Sequence, residues 1–147
     1  MAAGQAALRW VAAPAELDGA LALRKRVFCD EQGVPVEEEI DGRDGEAEHL
    51  VALDPDDGSV IGTLRLLFDA GTVKVGRVAV ERERRRRGIA GAMLAQALER
   101  ARARGCVRAR LAAQVDAVAV YERAGFAVCS AQFEEAGIPH VWMEQSL

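Results

Sequence analysis

The most constraining feature of this chain is an apolar strand pattern that runs through an arginine-rich turn into a long alanine-rich helix. The strand pattern ends at Val78-Ala79-Val80, and the turn ends in an Arg-x-x-Gly-x-Ala sequence formed by Arg85, Gly88 and Ala90. The first N–H groups of a helix have no partner within the helix and lie at the positive end of its dipole. Small residues at positions 88, 90 and 91 leave these groups open to a phosphate. The order of strand, turn and helix therefore predicts a phosphate-binding turn rather than an exposed run of charge.

Hydrophobic periodicity predicts one mixed α/β domain over residues 1–147. The predicted strands span 8–12, 49–53, 60–68, 72–80, 107–113, 126–133 and 138–144, with helices after Pro14, over 89–104 and from the N-cap Asp116 to Ala124. The strands that flank the helix after the phosphate turn should be parallel neighbours. Residues 33–48 combine turn formers with many acids, which indicates a long loop or a loop with a short helix. The last two strands should form a hairpin.

Charge and cysteine usage exclude several classes of protein. The net charge is −4, with acids crowded over 30–48 and arginines over 82–110. This acidic balance excludes general nucleic-acid binding, whereas the acidic segment fits either a solvated loop or one wall of a pocket for a cationic substrate. The three cysteines show no metal-ligand spacing and no disulfide framework, and two of them should be buried thiols. The first five residues lack a signal-peptide pattern and no apolar run could span a membrane, so a cytoplasmic location is expected.

Two motifs together carry a resemblance to a known family. The first is the phosphate turn. The second is Tyr-x-x-x-Gly-Phe, formed by Tyr121, Gly125 and Phe126, and the predicted strand 107–113 lies between the two motifs. With both motifs, the whole chain resembles the GNAT superfamily of N-acetyltransferases. A narrower likeness to the ElaA/YjcF-like acetyltransferases is carried by residues 23–35, 40–44, 113–114 and 137–140. The resemblance implies a mixed, mostly antiparallel sheet whose central parallel pair is splayed to hold acyl-CoA, flanked by helices.

The resemblance also implies a reaction, in which acetyl-CoA donates its acetyl group to a small-molecule or peptide amine. The pyrophosphate would bind the backbone of the phosphate turn, and the pantetheine amides would lie along the strand before it. Tyr121 occupies the position of the general acid that protonates the leaving thiolate. The implied cofactor-binding residues are Val78, Ala79, Val80, Arg85, Arg86, Arg87, Gly88, Ile89, Ala90, Gly91, Gln114 and Tyr121.

A general base is needed if the acceptor arrives as an ammonium ion, and its identity stays open. The candidates are His140, His49, Glu31, Asp41 and Asp44. The first of these belongs to the family-like segment 137–140 and is predicted as the second catalytic residue, although a histidine after a turn is often structural. Arg24 falls on an apolar helix face, where a guanidinium needs a carboxylate or an exit to solvent. An ion pair from Arg24 to Asp41 or Asp44 would hold the acidic loop over the acceptor cleft.

Two alternative functions remain at the level of the sequence, and the acceptor and the oligomeric state are open. The segments around Arg24 and Asp41 also resemble acyl-homoserine lactone synthases, which share the implied fold but take acyl groups from carrier protein. A catalytically silent module that binds CoA would carry the same phosphate turn. The acidic segment favours a cationic acceptor such as a polyamine, an aminoglycoside or a lysine, and the edge of the last hairpin offers a surface for a homodimer. No metal site is predicted.

Overall fold

An eight-stranded mixed sheet runs through the middle of the structure, a computed structural model that describes residues 5–147. The strands are β1 (Ala7–Trp10), β2 (Glu48–Leu53), β3 (Val60–Asp69), β4 (Thr72–Val80), β5 (Arg108–Gln114), β6 (Ala127–Val128), β7 (Phe133–Glu135) and β8 (Ile138–Ser146). Their order is β1-β2-β3-β4-β5-β8-β6, and β7 also pairs with β8. Only β4 and β5 pair in parallel among the described strands, which confirms the predicted mixed sheet with a central parallel pair. Residues 1–4, on which the start of the predicted domain and the signal-peptide prediction fall, lie outside the described residues.

Helices cover both faces of this sheet. They are α1 (Pro14–Arg24), α2 (Val36–Glu39), α3 (Ile89–Ala103) and α4 (Val118–Arg123), and a π-helical segment (Lys25–Glu31) continues α1 directly. The larger apolar core contains the buried face of α3, including Met93 and Leu94, together with alternate residues of β3, β4, β5 and β8. A smaller cluster of Leu23, Val27 and Ala79 lies on the other face. None of the helices in the described part of the chain is long and apolar enough to cross a membrane.

The prediction of one continuous strand over 126–133 is wrong, because the middle of this segment does not continue the strand pairing with β8. β6 and β7 both pair with β8, but residues 129–132 between them form no strand. The Ser130 hydroxyl accepts a hydrogen bond from the Trp142 N–H (2.9 Å), so a side chain replaces the backbone carbonyl that a continuous strand would supply. Cys129 is exposed in this break, which corrects the expectation of a buried thiol, whereas Cys106 is buried.

Two local helix predictions also need correction. Residues 115–117 form a 3-10 turn, and Ala117 is the N-cap of α4 without any side-chain hydrogen bond, so Asp116 is not the cap. The sequence predicts that Leu17, Ala20, Leu21, Arg24 and Phe28 share the apolar face of the first helix. Ala20 and Arg24 are buried as predicted, but they share the buried face with Leu23 and Val27, whereas Leu17, Leu21 and Phe28 are only partly buried.

Candidate active site

A cleft opens in the sheet where β4 and β5 separate. The two strands are paired over only three positions, Thr72 to Lys74 on β4 and Arg108 to Arg110 on β5. Beyond Lys74 the described residues provide no strand partner for the edge of β4 that faces β5. The backbone groups of Val78 to Val80 on that edge are therefore available to an extended ligand, which could pair with them as an added strand.

A β-bulge in β4 marks the start of this cleft. Thr63 of β3 lies opposite Ala79, and Arg65 lies opposite Gly76, so two residues of β4 face one residue of β3. Arg77, at the bulge, has a φ of +52°, which is uncommon for a residue with a side chain. Its Nε donates a hydrogen bond to Glu39 Oε2 (2.8 Å), and its Nη2 donates to the Glu39 carbonyl oxygen (3.0 Å). The acidic segment thus holds the bulge in place.

The phosphate turn has the backbone geometry of an anion site. Gly88 is the N-cap of α3 with φ +79° and ψ 9°, in the left-handed region, and Arg86 also has a positive φ of +64°. The first hydrogen bond of the helix runs from the Ala92 N–H to the Gly88 carbonyl oxygen (3.0 Å), so the N–H groups of residues 89–91 have no partner within α3. A Cβ placed on Gly88 or on Gly91 would meet no atom within 4 Å. Open space therefore lies in front of the free end of a 15-residue helix.

The three arginines of the turn differ in what they contact. Arg85 donates from Nε to the Val80 carbonyl oxygen (3.0 Å) and pairs with both carboxylate oxygens of Glu31 (2.5 and 2.9 Å). Hydrogen bonding from this guanidinium lowers the pKa of Glu31. Arg86 and Arg87 are exposed and form no ion pair within the described part of the chain. Arg85 thus ties the turn to β4 and to the π-helical segment, while its two neighbours remain available to a ligand.

The second motif places Tyr121 through the way α4 ends. The Phe126 N–H donates to the Tyr121 carbonyl oxygen (3.1 Å) and the Gly125 N–H donates to the Glu122 carbonyl oxygen (3.0 Å), with Gly125 at φ +98°. These are the two hydrogen bonds of a Schellman motif, which brings Tyr121 and Phe126 close together. The rings of Tyr121 and Phe126 accordingly meet edge to face, 6.4 Å apart. The spacing of the motif therefore fixes the position of the tyrosine.

Tyr121 is a buried phenol whose hydroxyl forms no hydrogen bond with any described residue. Burial raises the pKa of Tyr121 to about 12. The side chain therefore holds its proton at neutral pH. A protonated hydroxyl without a partner is suited to donate a proton or a hydrogen bond to a ligand.

Gln114 and His140 lie directly opposite each other where β5 pairs with β8, at the open end of the cleft. Gln114 Nε2 donates to Gln32 Oε1 (2.8 Å), which connects β5 to the end of the π-helical segment. His140 is buried, and its Nδ1 is 2.7 Å from the Ile138 carbonyl oxygen. Because a carbonyl only accepts, Nδ1 carries the proton, so Nε2 of the neutral ring has a free lone pair. Glu135 Oε2 is 4.0 Å from this Nε2. No role was predicted for Gln32 or Glu135 from the sequence, because their partners in the site are distant along the chain or lie beyond a turn.

The acidic segment contributes to a closed set of ion pairs that we call the ion network. Its members are Arg24, Arg65, Arg77, Glu39, Asp41 and Asp44. Arg24 is only 1% exposed and pairs with Glu39 (2.6 Å) and with Asp44 (2.7 Å). The predicted ion pair to Asp44 is confirmed, whereas the alternative partner Asp41 pairs with Arg65 and Arg77 instead.

The ion network changes which groups can act as a base. Hydrogen bonding from Arg65 holds the pKa of Asp41 well below its ordinary value. Burial acts to raise the pKa of Asp44, but hydrogen bonds and charge from Arg24 and Arg65 lower it overall. His49 is buried with Nε2 on the Asp44 carbonyl oxygen (3.0 Å), on the far side of the ion network from the cleft strands β5 and β8. Of the five candidates, His140 is the one that combines a free lone pair with a place at the cleft.

Residues 5–147 contain no group of three or more histidine, cysteine, aspartate or glutamate side chains that could hold a metal ion.

The residues that could hold a cofactor are those of the phosphate turn and of the cleft edge. They fit an elongated ligand with a phosphate at one end and amide groups along its length.

Comparison with known proteins gives consistent matches over nearly the whole chain. A family model described as an acetyltransferase (GNAT) domain matches residues 15–147. YjcF, an uncharacterised N-acetyltransferase of Bacillus subtilis (strain 168), is 38% identical over 130 residues, covering 87% of this chain and 91% of YjcF. The structure of an acyl-CoA N-acyltransferase from Pseudomonas aeruginosa is 32% identical with a TM-score of 0.82, covering 95% and 99% of the two chains. Escherichia coli ElaA is 26% identical with a TM-score of 0.84 and the same coverage.

Proposed function

The chain belongs to the GNAT acetyltransferase family, and from that premise we propose that it transfers an acetyl group from acetyl-CoA to the nitrogen of an amine. The observation that carries the proposal is the separation of β4 from β5 after three paired positions, next to the free N-terminus of α3. The free edge of β4 suits the two amides of pantetheine, and the N–H groups of residues 89–91 suit the pyrophosphate. Arg86 and Arg87 add positive charge near the phosphates.

Acetyl-CoA supplies an activated thioester, which an amine attacks at the carbonyl carbon to form a C–N bond as the C–S bond breaks. A β4 N–H near Val78 would stabilise the charge that develops on the carbonyl oxygen. Tyr121 would give its proton to the departing thiolate, and its raised pKa keeps that proton available at neutral pH. The proton balance then requires a group that takes one proton from the amine.

His140 fits this second role. The Ile138 carbonyl oxygen fixes the proton on Nδ1, so Nε2 can accept a proton from the attacking nitrogen. The imidazolium that forms would be stabilised by Glu135, 4.0 Å away. Gln114, opposite His140 in the sheet, would orient the pantetheine end through its link to Gln32.

The test is turnover of acetyl-CoA with a panel of amines by the wild-type chain and the Tyr121→Phe variant. The variant keeps the ring contact to Phe126 and loses only the hydroxyl. We expect kcat to fall by about 100-fold or more while the Kd of CoA stays unchanged. The exposed Cys129 would react with a thiol reagent, so the acetylated product is measured by mass spectrometry. Tight CoA binding without turnover of any amine would support a silent module, and acylation from acyl carrier protein alone would support the lactone synthase alternative.

We further propose that residues 1–147 form a single GNAT domain that works in the cytoplasm. β6 and β7 occupy the outer side of β8, at one edge of the sheet. A homodimer through this edge remains a prediction. Sedimentation velocity of the purified chain tests it directly, because a monomer at micromolar concentration would contradict it.

A further inference from the structure

The cleft continues into a surface of which the proposed mechanism uses only His140. It lies on the sheet face away from α3, because alternate residues of β5 and β8, such as Leu111 and Met143, point into the α3 core. We call it the acceptor surface and define it by Lys74, Arg110, Phe133, His140 and Trp142. It begins at the proposed base and extends along β8, away from the open end of the cleft.

Three rings form a ladder along this surface. Phe133 stacks on His140 with ring centroids 5.9 Å apart and on Trp142 with centroids 6.0 Å apart, and both interplanar angles are close to 25°. Phe133 and Trp142 are half-buried, so part of each ring remains open to a ligand. Aromatic faces of this kind bind the apolar or aromatic body of a small molecule.

Two cations stand at the far end of the ladder. Lys74 Nζ is 5.3 Å from the centroid of the Trp142 ring, and the guanidinium carbon of Arg110 is 4.7 Å from it. Lys74 and Arg110 also lie opposite each other in the last paired position of β4 and β5, where like charges repel.

These cations are incompletely neutralised by the protein itself. Arg110 shares Glu144 with Arg108 (3.4 and 3.7 Å), and Lys74 forms no ion pair with any described residue. Partial burial lowers the pKa of Lys74, the charge of Glu135 acts to raise it, and the nearby arginines Arg65 and Arg77 lower it, so that the net shift is downward. An anionic group placed between Lys74 and Arg110 would relieve this repulsion.

The carboxylates of the ion network do not offset this charge. Glu39, Asp41 and Asp44 each pair with at least one arginine, and the ion network as a whole is neutral. These carboxylates are therefore not free to attract a cationic amine. Glu135, 4.0 Å from His140 Nε2, is a carboxylate at the reacting end, where an incoming ammonium group would lie.

We propose that the acceptor is an amine that carries an anionic group, such as a carboxylate, across a flat apolar spacer. The amine would lie at His140 and the anion at Lys74 and Arg110, with the spacer on Phe133 and Trp142. His140 and Trp142 are two residues, about 7 Å, apart on β8, and both cations lie over the Trp142 ring, so the spacer should be about as long as one aromatic ring. The identity of the acceptor rests on the proposed function, whereas the charge preference of the surface does not.

The test uses three benzylamines that differ only in the para substituent. These are 4-(aminomethyl)benzoate, 4-methylbenzylamine and 1,4-bis(aminomethyl)benzene, which place an anion, a neutral group or a cation at the same point. Their binding to the CoA-loaded chain is measured by calorimetry, and acetylated product is measured by mass spectrometry. We expect the benzoate to bind about 5- to 10-fold more tightly than the methyl compound and the diamine to bind most weakly.

The chain has only two lysines, so Lys25→Met is a matched control for Lys74→Met. Lys25 is exposed and pairs with Asp30 at the surface, away from the acceptor surface. Lys74→Met should abolish the preference for the benzoate, whereas Lys25→Met should keep it. An unchanged preference in Lys74→Met, a stronger affinity for the methyl compound or the diamine, or no binding of any of the three would overturn the inference.

The two proposals fail separately in this experiment. Acetylation of all three amines without a preference would leave the acetyltransferase proposal intact and refute the anionic acceptor. Preferential binding of the benzoate without any acetylated product would support the charge preference of the surface and contradict the proposed reaction.

Discussion

Replacing Gly88 by valine should weaken CoA binding more than neutralising Arg84, which lies just before the phosphate turn. Gly88 adopts φ +79°, and an L-residue in this left-handed region costs about 1–2 kcal/mol. A Cβ at this position would meet no atom within 4 Å, so the cost comes from the backbone and not from a collision. The turn of the variant can relieve this strain only by leaving the conformation that points its N–H groups at the phosphate.

If the turn of the variant relaxes in the absence of CoA, it must return to the strained conformation when CoA binds, and this strain energy reduces the binding free energy. A cost of 1–2 kcal/mol corresponds to an increase in the Kd of CoA of about 5- to 30-fold. Asparagine enters the left-handed region more readily than valine, so Gly88→Asn should increase the Kd by only a few-fold. Arg84→Gln should change the Kd by less than about threefold, because Arg84 is paired with Asp54 rather than free for a ligand.

Isothermal titration calorimetry with CoA and with pantetheine separates the phosphate turn from the rest of the site. Pantetheine lacks the pyrophosphate, so its affinity should be the same for the wild type and for Gly88→Val. A Kd of CoA that is unchanged in Gly88→Val, or that rises more in Arg84→Gln than in Gly88→Val, would refute the reasoning. The stretch would then be an exposed basic turn before an ordinary helix.

Two further predictions concern stability. Gly125→Ala should lower the free energy of unfolding by about 1–2 kcal/mol in urea denaturation, because φ is +98° and the new Cβ would lie 3.0 Å from Gln145 Oε1; an unchanged midpoint would contradict the Schellman geometry. Arg24→Met should lower the free energy of unfolding by about 3 kcal/mol at pH 7, since it leaves buried carboxylates short of a partner. The pKa values of Asp41 and Asp44 lie below their ordinary value of 3.8, so their stabilising contribution is complete above that pH and is lost as the pH falls below it. Urea denaturation from pH 7 to pH 2.5 should show this loss in the wild type and a shallower one in Arg24→Met, and parallel curves would count against the ion network.

The parts of the site that the sequence predicted are those encoded over short distances along the chain. The phosphate turn and the motif from Tyr121 to Phe126 each lie within one strand–turn–helix or helix–turn unit, where glycine and helix-end chemistry is readable from neighbouring residues. Gln32 pairs with Gln114 across 82 positions, and no local pattern marks either residue as the partner of the other.

The ion network shows the same limit in more detail. The sequence marked Arg24 because a guanidinium interrupts an apolar helix face, and it identified Asp44 as a partner. Glu39 was missed because it is the last of three consecutive glutamates and carries no signal that separates it from the two exposed ones. Glu39 is the buried one of the three because the fold places it, at the end of α2, against Arg24 at the end of α1 and against Arg77 of β4.

This selection gives the acidic segment a structural role in the proposed site. Glu39 binds Arg24 and also Arg77, whose φ of +52° lies at the bulge of β4, just beyond the last position paired with β5. An uncommon backbone conformation persists when its surroundings fix it. Here the buried carboxylate of Glu39 and the Glu39 carbonyl oxygen both accept hydrogen bonds from the Arg77 side chain. We therefore expect the width of the cleft to depend on residues far from the phosphate turn in sequence. Three of the acids that favoured a cationic acceptor are engaged in the ion network, and Lys74 and Arg110 are the cations of the proposed acceptor surface beside the cleft.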